Sequence, residues 1–311
     1  MSQVVSNPSP EPSTQKPVPK GLVAKLRAYS ELVAFSHTVF ALPFAATATL
    51  LALREPHVPL TPLRVAAMLV CMVTARTSAM AFNRYADRDV DAKNPRTRER
   101  PIQSGRVKPR EALALTVGSG LVFVGSASSL GWLTGVLAVP VLAVLLGYSL
   151  AKRFTWGAHA WLGLALSLAP GGAWIAVGAT PGLGIVALMV GVVTWLFGFD
   201  VLYSLQDERF DRENGLHSVP SRFGTQGALR LSAFSHVLTV ASFVSAGLLL
   251  HRGVAFFVGT ALFATILFVE HRLVRGGNLE KIDKAFFDCN AFVSLGFFVT
   301  TAIDAWLLSR G

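Results

Sequence analysis

Nine apolar stretches, each near the length that crosses a bilayer, constrain this chain more than any other feature. A hydrocarbon core about 30 Å thick takes roughly 20 apolar residues as a helix. Such stretches run near 32 to 53, 62 to 83, 111 to 129, 132 to 150, 158 to 178, 182 to 204, 227 to 250, 253 to 272 and 286 to 308. Only 15% of the 311 residues are charged, against about 25% in soluble domains, and the mean hydropathy is +0.51. Backbone groups in lipid must bond within their own segment, so these stretches read as helices. The expectation is an all-α polytopic membrane protein of nine transmembrane helices, or eight if the hinge at Gly131 joins a pair.

The cations orient the bundle. Arg84, Arg88, Lys93, Arg96, Arg98, Arg100, Arg106, Lys108 and Arg110 fall between the second and third stretches, and Lys152 and Arg153 follow the fourth. Arg209, Arg212, Arg222 and Arg230 follow the sixth, and Arg272, Arg275, Lys281 and Lys284 the eighth. The alternate connections hold only Arg54, Arg64 and Arg252. The positive-inside rule then places the even connections on the cytoplasmic side of a plasma (inner) membrane. A formal charge of +10 is thereby explained by topology and anionic lipid headgroups, and nucleic acid is not an expected partner. Residues 1–20, rich in Ser, Thr and Pro, lack a signal-peptide core and read as a disordered cytoplasmic tail before one transmembrane domain over 21–311. Cys71 and Cys289 form no CxxC and read as small buried side chains.

Acid is scarce, 18 residues in all, yet it gathers at two stretch ends. Asn83, Asp87 and Asp91 recur at i, i+4 and i+8, and Tyr203, Asp207 and Asp211 repeat that spacing, with Asp200 one turn earlier. On continuous helices each set forms one stripe; Arg76 lies deeper on the first. Each set precedes a basic loop containing Pro and Gly, so the chain reads as two related four-helix halves plus a last helix around a central cavity. Facing stripes would repel strongly unless a cation joined them. Oxygen donors suit Mg²⁺, which takes one or two carboxylates plus phosphate oxygens. Arg76, Lys152 and Arg153 are candidates to bind phosphate or the carboxylate of a second substrate, and His37 and His217 are further candidates for contact with substrate. Acids at a helix end can also be merely solvated or paired with adjacent arginines. Two matched copies in an acid-poor membrane chain favour a site. A secondary transporter is the competing class, although its coupling acids belong nearer the midplane than these rim positions.

Asn83-x3-Asp87-x3-Asp91 and Tyr203-x3-Asp207-x3-Asp211 resemble the two aspartate-rich motifs of the UbiA superfamily of intramembrane aromatic prenyltransferases, from about residue 22 onward. The words Phe35-Ser-His37, Ala75-Arg76-Thr77 and Asn94-Pro95-Arg96-Thr97 resemble its 4-hydroxybenzoate polyprenyltransferase branch and the related futalosine branch of menaquinone synthesis. The resemblance implies a cavity open sideways to lipid, with Asp87, Asp91, Asp207 and Asp211, helped by Asn83, holding Mg²⁺ on a polyprenyl diphosphate. It also implies attack of an aromatic acid or naphthoate acceptor on the allylic cation. Many members of that branch carry Lys where this chain has His217, which leaves the acceptor open; haem, chlorophyll and homogentisate prenylation are the other activities within the superfamily.

Overall fold

The computed structural model describes residues 21–33, 41–274 and 282–310. The 1–20 tail and His37 lie outside the described residues, as does the side chain of Cys289; Cys71 is half-buried. All regular structure among the described residues is helical: α1 Leu22–Leu32, α2 Ala41–Ala52, α3 Pro62–Ala86, α4 Arg88–Asp91, α5 Pro109–Leu130, α6 Trp132–Ala151, α7 Ala158–Ala176, α8 Leu183–Tyr203, α9 Glu208–Glu213, α10 Val219–Leu249, α11 Val254–Val274 and α12 Ile282–Leu308. Each of the nine apolar stretches contains a helix. Among the described residues, six helical segments are long and apolar enough to cross a membrane: α3, α5, α6, Leu183–Glu213, α10 and α11. The helix α7 spans 19 residues, while Ala41–Ala52 and Phe292–Leu308 are shorter apolar helices.

Local sequence sets the helix starts. Thr61 precedes Pro62, and its hydroxyl accepts the Arg64 amide at 3.2 Å, a cap with proline at the first helical position. Ser218 caps α10 in the same way, ahead of Pro220, by accepting the Ser221 amide at 3.3 Å. Gly131 alone separates α5 from α6, so the hinge parts two helices rather than merging them. The helix of the seventh stretch, read from 227, begins about two turns earlier: Val219–Phe223 is already helical and Gly224, at φ 68°, kinks it into the long helix. That left-handed backbone suits glycine.

The two halves repeat one packing pattern. In the first, α3 lies along α5; in the second, α8 lies along α10. In each pair the first helix leads into an acidic motif and the second returns from the basic loop. The halves join where α2 and α6 meet α7, the last helix α12 packs on α2, and within the second half α7 packs on α8. A Cβ at Gly163 of α7 would stand 2.4 Å from the Val193 carbonyl oxygen of α8, so only glycine allows this approach of the two backbones. Buried rings from five helices, Phe44, Trp195, Phe243, Phe263 and Phe297, fill the core beside it, with Phe243 and Phe297 stacked at 4.8 Å.

Opposite ends of the bundle differ in kind. At one end Arg64 donates to the Leu130 carbonyl at 2.9 Å and the Ala176 carbonyl at 2.6 Å, satisfying the carboxyl-terminal ends of α5 and α7. At the same end the Arg252 Nε meets Asp304 Oδ2 at 3.0 Å. The other end carries both acidic motifs.

Candidate active site

Each acidic motif interrupts its helix, the first at Asp87 and the second over Ser204–Asp207. The helix α3 stops at Ala86, Asp87 adopts φ −90° and ψ 6°, and α4 resumes for one turn. In the second half α8 stops at Tyr203, and Ser204–Asp207 winds as a 3₁₀ turn before α9. The expectation of continuous i, i+4, i+8 stripes is thus corrected. A 3₁₀ turn advances about 120° per residue rather than 100°, so Asp207 swings away from the line of Tyr203. The amides of Asp87 and Asp91 still bond the carbonyls four residues back, at 2.9 and 2.8 Å, so the first break costs little hydrogen bonding. The breaks fan the carboxylates around a hollow instead of stacking them on one ridge.

That hollow is a cavity of about 190 Å³ bounded by both halves. Five carboxylates line it, Asp87, Asp91, Asp200, Asp207 and Asp211, together with five cations, Arg84, Arg96, Arg100, Lys152 and Arg153. The formal charges of this lining cancel. Arg100 Nη1 lies 2.7 Å from both oxygens of Asp91. Lys152 Nζ is 3.4 Å from Asp211 Oδ2, and Arg153 Nη2 is 3.4 Å from Asp87 Oδ1. Arg96 pairs with Asp207 and donates to the Tyr203 hydroxyl at 3.1 Å. The amide of Asn83 reaches Asp87 Oδ2 at 2.9 Å, and that of Asn94 reaches Asp207 Oδ1 at 3.4 Å.

The loop after α4 brings Arg96 and Arg100 inward. Asn94 accepts the Arg96 amide through its side chain at 2.9 Å, and the buried Thr97 hydroxyl donates to the Asp91 carbonyl at 3.0 Å. Such side-chain turns let Asn and Thr replace regular structure. Outside the loop, α1 braces it: Glu31 pairs with Arg106, and Lys25 with Glu111 at 3.1 Å.

Burial pushes the Asp87 carboxyl above the ordinary carboxylate range, and Asp91 adds to that shift against Arg153 and Lys152. Lys152 behaves oppositely: burial lowers it, but Asp211, Asp200 and Asp207 together raise it above an ordinary lysine. The ammonium is thus held charged among acids.

Of the residues singled out in the sequence, Asn83, Asp87, Asp91, Lys152, Arg153, Asp200, Tyr203, Asp207 and Asp211 meet in this cavity. Arg76 and His217 are not among its lining residues; Arg76 sits deeper in α3, and His217 is exposed while its amide donates to the Lys152 carbonyl at 2.7 Å. Sequence reasoning passed over Arg84, Arg100, Tyr148, Ser149 and Phe210 as wall residues. The spacing of Tyr148 and Lys152, four apart at the end of α6, was a usable sign of a shared face.

The donor chemistry fits a hard divalent ion that arrives with phosphate. Among the described residues no three His, Cys, Asp or Glu side chains converge as a ready cation cage. Mg²⁺ seldom uses such a cage, preferring one or two carboxylates with phosphate oxygens and water.

Comparison with known proteins agrees with this geometry. A family model described as the UbiA prenyltransferase family matches residues 41–296. The 4-hydroxybenzoate octaprenyltransferase of Dechloromonas aromatica (strain RCB) is 31% identical over 245 residues, covering 76% of this chain and 80% of that protein. That of Xanthomonas euvesicatoria pv. vesicatoria (strain 85-10) is 32% identical over 229 residues, 73% of this chain and 75% of that one. The apo structure of a UbiA homolog from Aeropyrum pernix K1 is 32% identical with a TM-score of 0.78, covering 86% of this chain and 98% of that chain. A UbiA homolog from Archaeoglobus fulgidus bound to GPP and Mg²⁺ has a TM-score of 0.73 at 17% identity, over 89% and 99% of the two chains, a likeness of fold.

Proposed function

The chain belongs to the UbiA prenyltransferase family, and from that premise we propose that this prenyltransferase moves a polyprenyl group from its diphosphate onto 4-hydroxybenzoate, in ubiquinone synthesis. The observation that carries the reading is the balanced lining of one cavity, five carboxylates with five cations drawn from both halves. A site built only for cations has no use for Arg96, Arg100, Lys152 and Arg153, and one built only for anions has no use for the aspartates. A metal diphosphate uses both. The names of the curated relatives support 4-hydroxybenzoate as acceptor.

Asp87, Asp91, Asp207 and Asp211, with Asn83, would hold Mg²⁺. When bound, the ion neutralises the diphosphate as a Lewis acid, so that the allylic C–O bond can ionise. The chain's own residues prepare this step by an exchange of partners. Arg96, Arg100, Lys152 and Arg153, which now pair with these aspartates, would bind the phosphate oxygens, leaving the aspartate oxygens to hold the ion. Charge-assisted bonds from Arg96 and Arg100 fix the leaving group and favour its departure. The electron pair of the broken bond leaves with the diphosphate, the ring carbon bonds to the allylic cation, and the ring then gives up its proton. Tyr203 lines the same cavity, with the Arg96 guanidinium 5.4 Å from its ring centroid.

The cavity end is the end rich in Arg and Lys, which supports a cytoplasmic mouth on a plasma membrane. The test is an acceptor comparison in detergent with geranyl diphosphate and Mg²⁺, reading product mass. A prenylated 4-hydroxybenzoate is the expected result. Product from 1,4-dihydroxy-6-naphthoate alone would move the enzyme to the menaquinone route.

A further inference from the structure

Four cavity carboxylates face a guanidinium or an ammonium. Asp200 pairs with an imidazole instead: His159 Nδ1 lies 2.6 Å from Asp200 Oδ2. This histidine, the second residue of α7, is completely buried, and its ring meets Phe197 edge-on at 6.4 Å. Its other nitrogen accepts the backbone amide of Val219 at 3.2 Å. An amide can only donate, so Nε2 carries no proton and the proton resides on Nδ1, donated to Asp200. The geometry therefore makes Nδ1 the donor and Nε2 the acceptor. The second oxygen of Asp200 remains for the cavity it lines.

Position suggests what that oxygen meets. Asp200 precedes Asp207 by seven residues, about 10 Å along a helix, so it lies on the membrane side of the groups assigned to the diphosphate. Tyr148 and Tyr203 line the same region. Asp200 shares that region with the Lys152 ammonium, which it helps hold charged, and its carboxylate can accept a hydroxyl.

Resting on the reading of the chain as an aromatic prenyltransferase, we propose that His159 is a positioning residue, holding Asp200 as the hydrogen-bond acceptor for the phenolic hydroxyl of the aromatic substrate. Its anchor on Val219 ties that function to the start of α10, so the imidazole and the carboxylate it holds keep their places. The acceptor thereby enters with its hydroxyl toward Asp200 and its carboxylate toward the cationic rim. No covalent step is added to the reaction.

The experiment measures steady-state prenylation of 4-hydroxybenzoate and, separately, Mg²⁺-dependent binding of geranyl diphosphate, in wild type, His159→Ala, His159→Gln, Asp200→Asn and the His159→Ala/Asp200→Asn double variant. The expected result is a fall of roughly 10- to 100-fold in kcat/KM for the acceptor in His159→Ala, the usual cost of losing an orienting partner, with donor binding unchanged. Glutamine, which can donate and accept at once, restores most of it. The isosteric Asp200→Asn reproduces the loss without disturbing packing, and the double variant falls no further than the worse single. An acceptor kcat/KM that survives His159→Ala, or donor binding that weakens in parallel with it, overturns the proposal and leaves His159 a packing residue. A wild type that binds donor yet prenylates no aromatic acceptor defeats the underlying reading instead.

Discussion

Arg96, in the loop after the first acidic motif, grips Asp207 in the second, its Nε 3.3 Å from Oδ1 across 111 residues of sequence. Neither half of the chain can build this pair alone. It closes the cavity between the repeats and holds in one place a cation and an anion that the substrate complex needs apart.

Removing Arg96 should therefore impair donor handling before anything else. For Arg96→Ala the expected change is a rise in KM for the prenyl diphosphate and a loss in kcat/KM of roughly 10- to 100-fold, the range for one charge-assisted bond of about 1.5–3 kcal/mol. Steady-state kinetics with varied donor reads it. An unchanged donor KM would place the guanidinium outside the phosphate site.

Chelation should stop turnover completely, and added Mg²⁺ should restore it. Asp87→Ala and Asp207→Ala should not recover at any Mg²⁺ concentration, because each removes an oxygen donor from a different half. Activity surviving exhaustive chelation would exclude the metal from the reaction.

Asp87 gives a stability prediction with a defined sign. Its folded-state carboxyl is raised above the ordinary value, chiefly by burial, so the ionised form is penalised in the folded protein and stability falls as pH rises through that raised value. In metal-free detergent, Asp87→Asn should melt higher than wild type at neutral pH, with the gap closing on acidification to the unfolded carboxylate range. A variant that melts lower at neutral pH would show that the bonds to Asn83 and Arg153 outweigh burial.

Far from the cavity, Asp304 accepts Arg252 Nε at 3.0 Å and the amides of Gly253 and Phe256 at 3.1 and 3.3 Å. Both side chains of the ion pair are 1% exposed. Asp304→Ala leaves a buried guanidinium uncompensated and uncaps α11, which should cost about 3–5 kcal/mol. Thermal unfolding checks it, and turnover by the folded fraction should be unaltered.

Much of this was legible in the sequence because lipid leaves few choices. The apolar stretches marked the helices, and nine of the residues read from the two motifs and the Lys152–Arg153 pair meet in the cavity. What the periodicity could not convey was the break at each motif. An i, i+4, i+8 spacing looks the same whether the backbone continues as α-helix or passes through the turn at Ser204–Asp207. Arg100 escaped notice because its approach to Asp91 depends on how the loop folds back, and a run of arginines reads as topology. His159 gave no local sign at all: its partners are 41 and 60 residues away, and an isolated histidine at a helix start has no spacing to betray it.

The central claim is that both acidic motifs serve one metal diphosphate. Its most direct test is Mg²⁺-dependent release of diphosphate from geranyl diphosphate with 4-hydroxybenzoate present, in wild type, Asp87→Ala and Asp207→Ala. Release by the wild type that matches prenylated product, and is abolished in both variants, is the predicted result. Full activity in either variant would contradict a site shared between the two halves.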